Sequence, residues 1–335
     1  MKLDWRELHG SHFENVNVLV TGGAGFIGSH LCEALLALGA RVVAMDDLSG
    51  GDTNNLQPFG AECRDRLKFV EGSILDADVL SRCTDGCRYV FHQAALGSVP
   101  ASIEQPRRYT QVNVIGTLEV LEAARAARVE RVAYAASSSA YGDSPTLPKI
   151  ESMPPAPMSP YAASKLAGEG LLAAYSASYG IDTVSLRYFN IFGARQNANS
   201  AYAAVIAAFA KAILVDRAPT IYGDGQQSRD FTHVANAVHA NLLAARRGEP
   251  LGGMVVNVAC GQRITIDELA RRMIDQTGRS HLTPRHEALR AGDVKHSLAD
   301  LDRARSVLGY EPVVDFPTGL ESVVAEFCQV SRPRA

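Results

Sequence analysis

The sequence has little of what marks disulfide-rich, nucleic-acid-binding or membrane proteins. Its 335 residues include six cysteines and one tryptophan, and the formal net charge is -3. A chain so close to neutral has little electrostatic attraction for nucleic acid or an anionic membrane surface, so neither is expected as its main partner. The most apolar long stretch, 201–215, contains Lys211 and is too short to span a bilayer. We therefore expect a soluble globular protein.

The few cysteines also argue against a disulfide framework and a metal site. Only Cys83 and Cys87 lie close together in the chain, and no histidine accompanies them at a metal-ligand spacing. Residues 1–17 mix acids, bases and histidines without an apolar run, which is unlike a signal peptide. The sequence thus predicts reduced thiols, no bound metal ion and a cytoplasmic location.

What the chain does contain is an alternation of short apolar runs with segments of helical periodicity. Apolar residues make up 47% and charged residues 21%, which suits a globular α/β enzyme. Because strands that alternate with helices form parallel sheets covered on both faces, we expect that architecture here. The predicted strands are 16–21, 41–45, 67–71, 89–92, 131–136, 183–187 and 255–258, with one more near Thr220. The predicted helices are 27–38, 113–127, the segment that carries Tyr161, 203–215, 234–245, 266–277 and 300–308.

A glycine-rich segment joins the first predicted strand to the first helix, with glycines at 22, 25 and 28. The tight turn, the approach of the backbone to a pyrophosphate and the close packing of helix on sheet each exclude a side chain. Asp46 ends the next strand, where its carboxylate can accept both hydroxyls of an adenosine ribose and repel a 2′-phosphate. The pattern predicts a dinucleotide site that prefers NAD to NADP, a preference that Arg41 and Asp47 weaken.

The second informative segment runs from Ser159 to Lys165. Ser159 can cap a helix, and Pro160 suits its first position because no N–H is needed there. Tyr161 and Lys165 are four residues apart and so share one helix face. A fixed ammonium and the positive end of the helix dipole favour phenolate, so we expect a lowered pKa for Tyr161. Such a pair also occurs on protein surfaces; here the dinucleotide motif favours a catalytic base.

With these features the chain resembles the extended short-chain dehydrogenase/reductase family, in its branch of nucleotide-sugar epimerases and dehydratases. The resemblance extends from about residue 16 to about residue 312. It implies an α/β fold, a Rossmann-type doubly wound parallel sheet with a smaller α/β substrate-binding domain. The NAD-binding domain would be 16–189 with a return segment near 234–260, and the UDP-sugar-binding domain would be 190–233 and 261–330. It also implies a homodimer that associates through two helices, which start near Asn113 and Ser159.

The resemblance implies roles for individual residues, with NAD as cofactor and a UDP-sugar as substrate. The residues expected to bind the cofactor are Gly22, Gly25, Phe26, Ile27, Gly28, Asp46, Asp47, Ser73, Ile74, Gln93, Ala94, Ala95, Asn113, Tyr161, Lys165 and Tyr188. The residues expected to bind the substrate are Ser98, Ser138, Ser139, Tyr161, Asn190, Ala204, Val205, Tyr222, Arg229, Arg290, Asp293 and Ser297.

In this family a hydroxyl side chain before a Tyr-Gly pair completes the catalytic set with the tyrosine and the lysine. The corresponding run here, Ser137 to Gly142, is one residue shorter than in many relatives. Ser138 is therefore the preferred catalytic hydroxyl, beside Tyr161 and Lys165, and its neighbours Ser137 and Ser139 stay possible.

The resemblance also narrows the reaction. The sugar dehydratases of the family carry an Asp-Glu pair beside the catalytic hydroxyl, and this chain has Ser139 and Ala140 there. Because elimination of water needs a general acid for the leaving hydroxyl, we expect reversible 4-epimerisation through a 4-keto intermediate instead. A UDP-uronate 4-epimerase or a nucleotide-sugar dehydratase on the same fold is the alternative.

One position concerns the choice of sugar. Ser297 stands where epimerases restricted to glucose and galactose resemble one another in having a bulky tyrosine. A small side chain leaves room for an N-acetyl group on the sugar, although size at one position discriminates only modestly. The sequence thus favours UDP-N-acetylglucosamine and UDP-N-acetylgalactosamine, with UDP-glucose and UDP-galactose as a second pair.

Overall fold

The computed structural model describes residues 3–57, 59, 61–196, 205–288 and 294–330. Its strands are β1 (Asn17–Thr21), β2 (Arg41–Asp46), β3 (Leu67–Glu71), β4 (Tyr89–His92), β5 (Arg131–Ser137), β6 (Asp182–Tyr188), β7 (Ile191–Phe192), β8 (Thr220–Tyr222), β9 (Ser228–Arg229), β10 (Thr232–His233), β11 (Met254–Val258), β12 (Ile264–Thr265) and β13 (Arg285–Glu287). Its α-helices are α1 (Trp5–His9), α2 (Phe26–Ala37), α3 (Ala77–Thr84), α4 (Val99–Glu104), α5 (Pro106–Thr110), α6 (Gly116–Ala126), α7 (Pro160–Tyr179), α8 (Val205–Leu214), α9 (Val234–Arg246), α10 (Ile266–Gln276) and α11 (Phe316–Val330).

Seven strands form one sheet in the order β11-β6-β5-β4-β1-β2-β3, and each neighbouring pair is parallel. The chain runs outward from β1 in one direction through β2 and β3, and in the other through β4, β5 and β6. The order therefore reverses between β1 and β4, and a ligand site is expected beyond the carboxyl ends of these two strands. The predicted Rossmann-type sheet is confirmed.

Apolar cores cover both faces of this sheet. On one face, residues of α2 and α9, such as Leu31 and Val238, share a core with strand residues such as Val20. On the other face, Leu121 of α6 and Leu172 of α7 pack in a second core with residues from the same strands. Because the central strands β1, β4 and β5 are buried on both faces, they appear as nearly continuous apolar runs in the sequence.

A third, smaller core lies beyond the sheet. Phe209 of α8, Leu269 of α10 and Leu320 of α11 pack in it together with residues of the short strands. These elements fall within the predicted substrate-binding segments, and β11 joins the main sheet as the predicted return segment requires. Residues 299–310 differ from the expectation, because Leu301 and Tyr310 among them pack in the first core. The domain boundaries stay a prediction.

The helix predicted at 113–127 begins earlier than expected. Pro106 starts α5, a π-helical turn at Gln111–Ile115 follows, and α6 continues the same helical run. Asn113 therefore lies inside a helix instead of heading one. The helix predicted at 300–308 is a shorter π-helical turn at Ala304–Leu308. Helices α1, α3, α4 and α11 were not predicted, because three are short and the last follows an irregular segment.

Two further expectations concern the chain's chemistry and its surroundings. All six cysteines are free thiols. In the described part of the chain, no helix is both long and apolar enough to cross a bilayer.

The two helices predicted to carry a homodimer interface correspond to α6 and α7, which pack against each other. The homodimer itself stays a prediction.

Candidate active site

A cavity of about 380 Å³ opens at the carboxyl ends of the central strands, where the strand order reverses. That volume is in the range of small-molecule sites, which fall at about 300–1,000 Å³. The predicted cofactor residues that line it are Gly22, Gly25, Phe26, Ile27, Gly28, Asp46, Asp47, Ile74, Gln93, Ala94, Ala95, Tyr161, Lys165 and Tyr188. The glycine-rich loop and the Tyr–Lys pair, more than a hundred residues apart in sequence, thus share one cavity.

The glycine-rich loop leaves no room for side chains. Gly22 has a φ of +66°, and a Cβ there would lie 2.7 Å from the backbone nitrogen of Ala94. A Cβ on Gly28 would lie 2.0 Å from the carbonyl oxygen of Gly22. Among the described residues, no side chain caps the start of α2, where Gly25 is the N-cap. The loop and the helix N-terminus therefore fit a pyrophosphate, which backbone N–H groups would bind.

Asp46 lies at the end of β2 with its carboxylate held by the same loop. Its oxygens accept hydrogen bonds from the backbone N–H of Ala24 at 3.0 Å and of Leu48 at 2.9 Å. Burial raises the pKa of Asp46, while these amide hydrogen bonds lower it. Asp47 accepts hydrogen bonds from the backbone and the hydroxyl of Ser49. Two carboxylates at this strand end fit a cofactor whose ribose carries free hydroxyls.

Ten residues that line the cavity were not predicted: Met45, Ser49, Gly50, Gly51, Gly72, Leu96, Gly97, Val112, Ala135 and Ala136. Most directly follow a predicted strand end or extend a predicted motif, as Leu96 and Gly97 extend the Gln93–Ala95 run. The signal that could have identified them is the run of small residues after each strand, which lets a ligand approach the backbone.

The side chains of Gln93, Tyr188 and Asn241 form a hydrogen-bonded group at the edge of the cavity. Tyr188 donates its hydroxyl to Gln93 at 3.2 Å and accepts a hydrogen bond from Asn241 at 2.6 Å. The Gln93 amide in turn donates to Asn241 at 3.1 Å. This closed triangle links β4, β6 and α9, so it holds Gln93 and Tyr188 at the cavity surface. Asn241 was missed, since nothing in the pattern of α9 distinguishes it.

Two predicted cofactor residues do not line the cavity. The Ser73 hydroxyl accepts a hydrogen bond from the backbone N–H of Leu75, which makes a local turn. Asn113 is buried and binds both the N–H and the carbonyl of Leu96, at 2.8 and 3.1 Å, and it also donates to Ser164 at 3.0 Å. Asn113 therefore positions the loop after β4 against α7, and in this structure neither residue contacts the cavity.

The Tyr–Lys pair is held near the start of α7 as expected. The Ser159 hydroxyl caps the helix by accepting the N–H of Ala162 at 3.1 Å. Tyr161 and Lys165 both line the cavity. The Lys165 ammonium donates to the carbonyl oxygen of Ala135 at 2.8 Å and lies 4.8 Å from the ring centroid of Tyr134.

The expected lowering of the Tyr161 pKa is wrong for this structure. Burial raises the pKa of Tyr161, and a hydrogen bond with Ser137 lowers it only in part. Burial also lowers the pKa of Lys165 to about 7, and the Glu169 carboxylate raises it in part. Desolvation acts on both side chains in the same sense, because burial disfavours the charged form of each.

Of the three candidate serines, Ser137 is the one whose side chain lowers the pKa of Tyr161. Ser139 donates both its N–H, at 3.2 Å, and its hydroxyl, at 2.8 Å, to the Ser137 oxygen. Ser138 begins the 3₁₀ turn Ser138–Tyr141 that follows β5. The structure therefore favours Ser137 as the catalytic hydroxyl. The sequence favoured Ser138, because the run is one residue shorter than in many relatives and its alignment to the family motif was ambiguous.

Two of the predicted substrate residues, Asn190 and Ser297, contact each other, and neither is among the residues that line the cavity. The Asn190 amide donates to the Ser297 hydroxyl at 3.2 Å, and the backbone N–H of Asp230 lies 3.4 Å from the same oxygen. The Arg229 guanidinium donates to the carbonyl oxygens of Ser228 at 3.0 Å and Lys295 at 3.2 Å. Three chain segments far apart in sequence thus converge around Ser297.

Asp230 was missed as part of this cluster. It is fully buried, and its carboxylate accepts backbone N–H groups of Cys260, Gly261 and Ala299 at 3.0 to 3.2 Å. Burial raises the pKa of Asp230 to about 7, and these amides lower it in part. The side chain therefore ties the end of β11 to the segment that carries Ser297. A lone acid between Arg229 and an aromatic residue offers no sequence signal for this role.

The other predicted substrate residues are placed as follows. Ser98 caps α4 by accepting the N–H of Ala101 at 3.2 Å. Val205 starts α8, and Tyr222 ends β8. Ala204, Arg290 and Asp293 lie outside the described residues, so their predicted roles stay predictions.

The parallel sheet opens at its switch point onto the glycine-rich turn and the Tyr–Lys pair. This arrangement defines a Rossmann-fold enzyme that works with a dinucleotide. The model of the NAD dependent epimerase/dehydratase family matches residues 18–259. The chain therefore belongs to this family, and its cofactor is NAD.

Individual relatives agree over nearly the whole chain. A UDP-glucose 4-epimerase from Mycolicibacterium smegmatis is 39% identical over 93% of this chain and 98% of its own length. The structure of a UDP-N-acetylglucosamine 4-epimerase from Methanobrevibacter ruminantium, in complex with UDP-N-acetylmuramic acid, superimposes with a TM-score of 0.89. It is 40% identical over 95% of this chain and 99% of that one. A Thermus thermophilus UDP-glucose 4-epimerase in complex with NAD gives a TM-score of 0.83 at 34% identity, over 93% and 99% of the two chains.

Proposed function

We propose that this NAD-dependent UDP-sugar 4-epimerase interconverts UDP-N-acetylglucosamine and UDP-N-acetylgalactosamine. The observation that carries the proposal is the small, buried Ser297, whose hydroxyl is bound by Asn190 beside Arg229. A serine there leaves space that a tyrosine would fill, and the Methanobrevibacter relative supports an N-acetylated sugar. UDP-glucose and UDP-galactose are the second substrate pair, as the Mycolicibacterium relative suggests.

The cavity supports a mechanism in which one proton leaves a sugar hydroxyl and later returns. NAD, when bound among the cavity residues, would supply the hydride acceptor and a positive charge. Tyr161 takes the proton of the 4-hydroxyl, and Ser137, whose side chain lowers the pKa of Tyr161, holds the reacting oxygen. Lys165 acts as a buried cation beside Tyr161, where its positive charge favours the phenolate. The 4-keto sugar would then turn about its diphosphate, so that hydride returns to the opposite face of C4 while Tyr161 gives the proton back to the carbonyl oxygen.

The sugar can turn only if the nucleotide end stays fixed. Arg229 suits a diphosphate, because a guanidinium pairs bidentately with phosphate oxygens. Asn190 hydrogen-bonds Ser297, and its amide can donate to a diphosphate oxygen. Arg290 would share the diphosphate and Asp293 would accept the uridine ribose hydroxyls. These four roles are part of the proposal.

The surroundings of Ser137 support epimerisation over elimination. Ser139 uses its hydroxyl as a donor to Ser137, and Ala140 is fully buried. The nearest acid along the chain, Asp143, accepts the backbone N–H of Lys295 at 2.9 Å. None of these groups is a free carboxylic acid for a leaving hydroxyl, so a dehydratase reaction would lack its proton donor.

Product analysis tests the reaction. The purified protein is incubated, without added NAD, with UDP-glucose, UDP-N-acetylglucosamine and UDP-glucuronate in parallel. We expect the 4-epimer of the N-acetylated sugar to form fastest and NAD to be regenerated in each cycle. A keto-sugar that accumulates, or NADH in proportion to substrate, would instead identify a dehydratase or a net oxidoreductase. A uronate epimer as main product would overturn the proposed substrate.

The role of Ser297 has its own test. Ser297→Tyr should lower kcat/KM for UDP-N-acetylglucosamine about tenfold more than for UDP-glucose, because one bulky group in a pocket discriminates by about 10- to 200-fold. Ser297→Ala is the matched control: it removes the hydrogen bond to Asn190 but stays small, so the ratio between the substrates should persist. An equal loss on both substrates in the tyrosine variant would refute the size argument.

A further inference from the structure

One buried ion pair next to the catalytic pair has no part in the mechanism so far. Glu169 of α7 accepts two hydrogen bonds from Arg187 of β6, at 2.8 Å from Nε and 2.7 Å from Nη2. Both side chains are only 4% exposed. The Arg187 guanidinium also lies 4.6 Å from the ring centroid of Tyr141. The pair is therefore rigidly held and shielded from water.

Its position along α7 relates it to the active site. Tyr161, Lys165 and Glu169 follow one another at intervals of four residues, which places them along one face of the helix. Lys165 and Glu169 are both buried. The ammonium of Lys165 thus has the cavity and Tyr161 on one side and a carboxylate one helical turn away on the other.

Stability alone is a poor reason for this ion pair. Burying two charges costs several kcal/mol per ion, and buried pairs can often be replaced by neutral side chains without loss of stability. A second buried pair of the same kind, Arg131 with Asp182, lies at the opposite end of the same strands. Only the Glu169–Arg187 pair stands beside a catalytic cation.

We propose that Glu169 is a positioning residue, which keeps the Lys165 ammonium charged in its buried site while Arg187 holds the Glu169 carboxylate in place. This inference rests on the proposed roles of Tyr161 and Lys165. The desolvation that lowers the pKa of Lys165 to about 7 is opposed by the Glu169 carboxylate. Without that carboxylate, Lys165 would be largely neutral at the pH at which it has to act as a cation.

The other groups around Lys165 do not replace this carboxylate. The titratable side chains that face the Tyr161–Lys165–Glu169 row from neighbouring elements are His92 of β4, Tyr109 of α5, Tyr134 of β5, Tyr141 after β5 and Arg187 of β6. None of these five side chains carries a carboxylate. Burial lowers the pKa of His92 to about 3, so it carries no charge near neutral pH.

The test is the pH profile of kcat for Glu169→Gln at saturating UDP-sugar. An opposite charge within about 4–6 Å shifts a pKa by about 1–3 units, so the alkaline limb should move to lower pH by about one unit or more. Glu169→Asp keeps the charge and should leave that limb in place. An unshifted limb in a folded Glu169→Gln variant would overturn the inference.

Two further variants separate this role from a structural one. Asp182→Asn breaks the other buried ion pair and should lower the Tm without moving the alkaline limb. If Glu169→Gln alone does not fold, Glu169→Gln combined with Arg187→Met removes both charges and should still show the shifted limb. Shifts of equal size in Asp182→Asn would contradict the inference, because they would mean a general effect of stability.

The underlying function is tested separately with Tyr161→Phe. If that variant keeps wild-type activity, the proposed roles of Tyr161 and Lys165 fail. If Tyr161→Phe is inactive while Glu169→Gln keeps the wild-type profile, only the inference about Glu169 fails.

Discussion

At the scale of single residues, Tyr161 and Lys165 show how burial changes a motif. Their spacing and their helix position are properties of the sequence, but their charge states depend on what surrounds them. Burial raises the pKa of Tyr161 and lowers that of Lys165 to about 7. In the proposed mechanism the pair acts as a base together with Ser137 of β5 and with Glu169, which lies further along α7.

The assignment of the catalytic hydroxyl is a prediction at this scale. Ser137→Ala should lower kcat by about 100-fold or more, within the range for a group that assists proton transfer, because the Ser137 side chain lowers the pKa of Tyr161. Ser138→Ala, on the neighbouring residue, should stay within a few-fold of the wild type. Steady-state kinetics of the two variants decide it, and a larger loss in Ser138→Ala would restore the sequence's first choice.

At the scale of elements, the turn from β1 to α2 is tightly constrained. Its glycines are set against the backbone of the neighbouring strand and of the turn itself, so side chains are excluded by the main chain and not by flexible neighbours. Helix α7 is different: one face carries Tyr161, Lys165 and Glu169, and the opposite face is exposed to solvent. The same substitution therefore has opposite effects in the two elements.

Glycine-to-alanine variants test this contrast. Gly28→Ala places a Cβ 2.0 Å from the carbonyl oxygen of Gly22, so the turn must distort, and we expect the purified protein to lose its NAD. In Gly170→Ala, on the exposed face of α7, the new Cβ has no heavy atom within 4 Å. That variant should gain about 0.5–1 kcal/mol of stability, because glycine is unfavourable inside a helix. Cofactor content and denaturant unfolding measure the two outcomes, and a Gly28→Ala variant with full NAD would contradict the argument.

At the scale of the whole molecule, folding withdraws several histidines from water. Burial lowers the pKa of His9 and His92 to about 3 and of His30, His233 and His239 to about 4. Many of these side chains join distant segments: His9 of α1 meets His239 of α9 at 3.0 Å. His92 lies between Thr21 and Thr117, at 2.8 and 3.0 Å. Each is neutral in the folded protein.

These histidines predict an acid-sensitive fold. Between about pH 6.5 and about pH 4 the unfolded chain takes up protons that the folded protein does not. As the pH decreases through this window, the free energy of unfolding should fall by up to about 1.4 kcal/mol per pH unit for each histidine. Above about pH 6.5 these histidines contribute no pH dependence.

Denaturant unfolding at a series of pH values measures this slope. His92→Asn should flatten it, because one of the buried neutral histidines is removed. A wild-type stability that is flat from pH 7 to about pH 4 would contradict the expectation.

The sequence by itself determined the local features: which segments are buried strands, where glycine is required, which helix carries Tyr161 and Lys165, and which cofactor fits Asp46. These follow from periodicity, backbone geometry and charge, which act over a few residues. Only the tertiary structure decided that Ser137 faces Tyr161, that Asn190, Asp230 and Ser297 form one cluster, and that burial opposes the charge of the catalytic pair. Such relations depend on desolvation and on contacts between segments a hundred residues apart, and no local pattern records them.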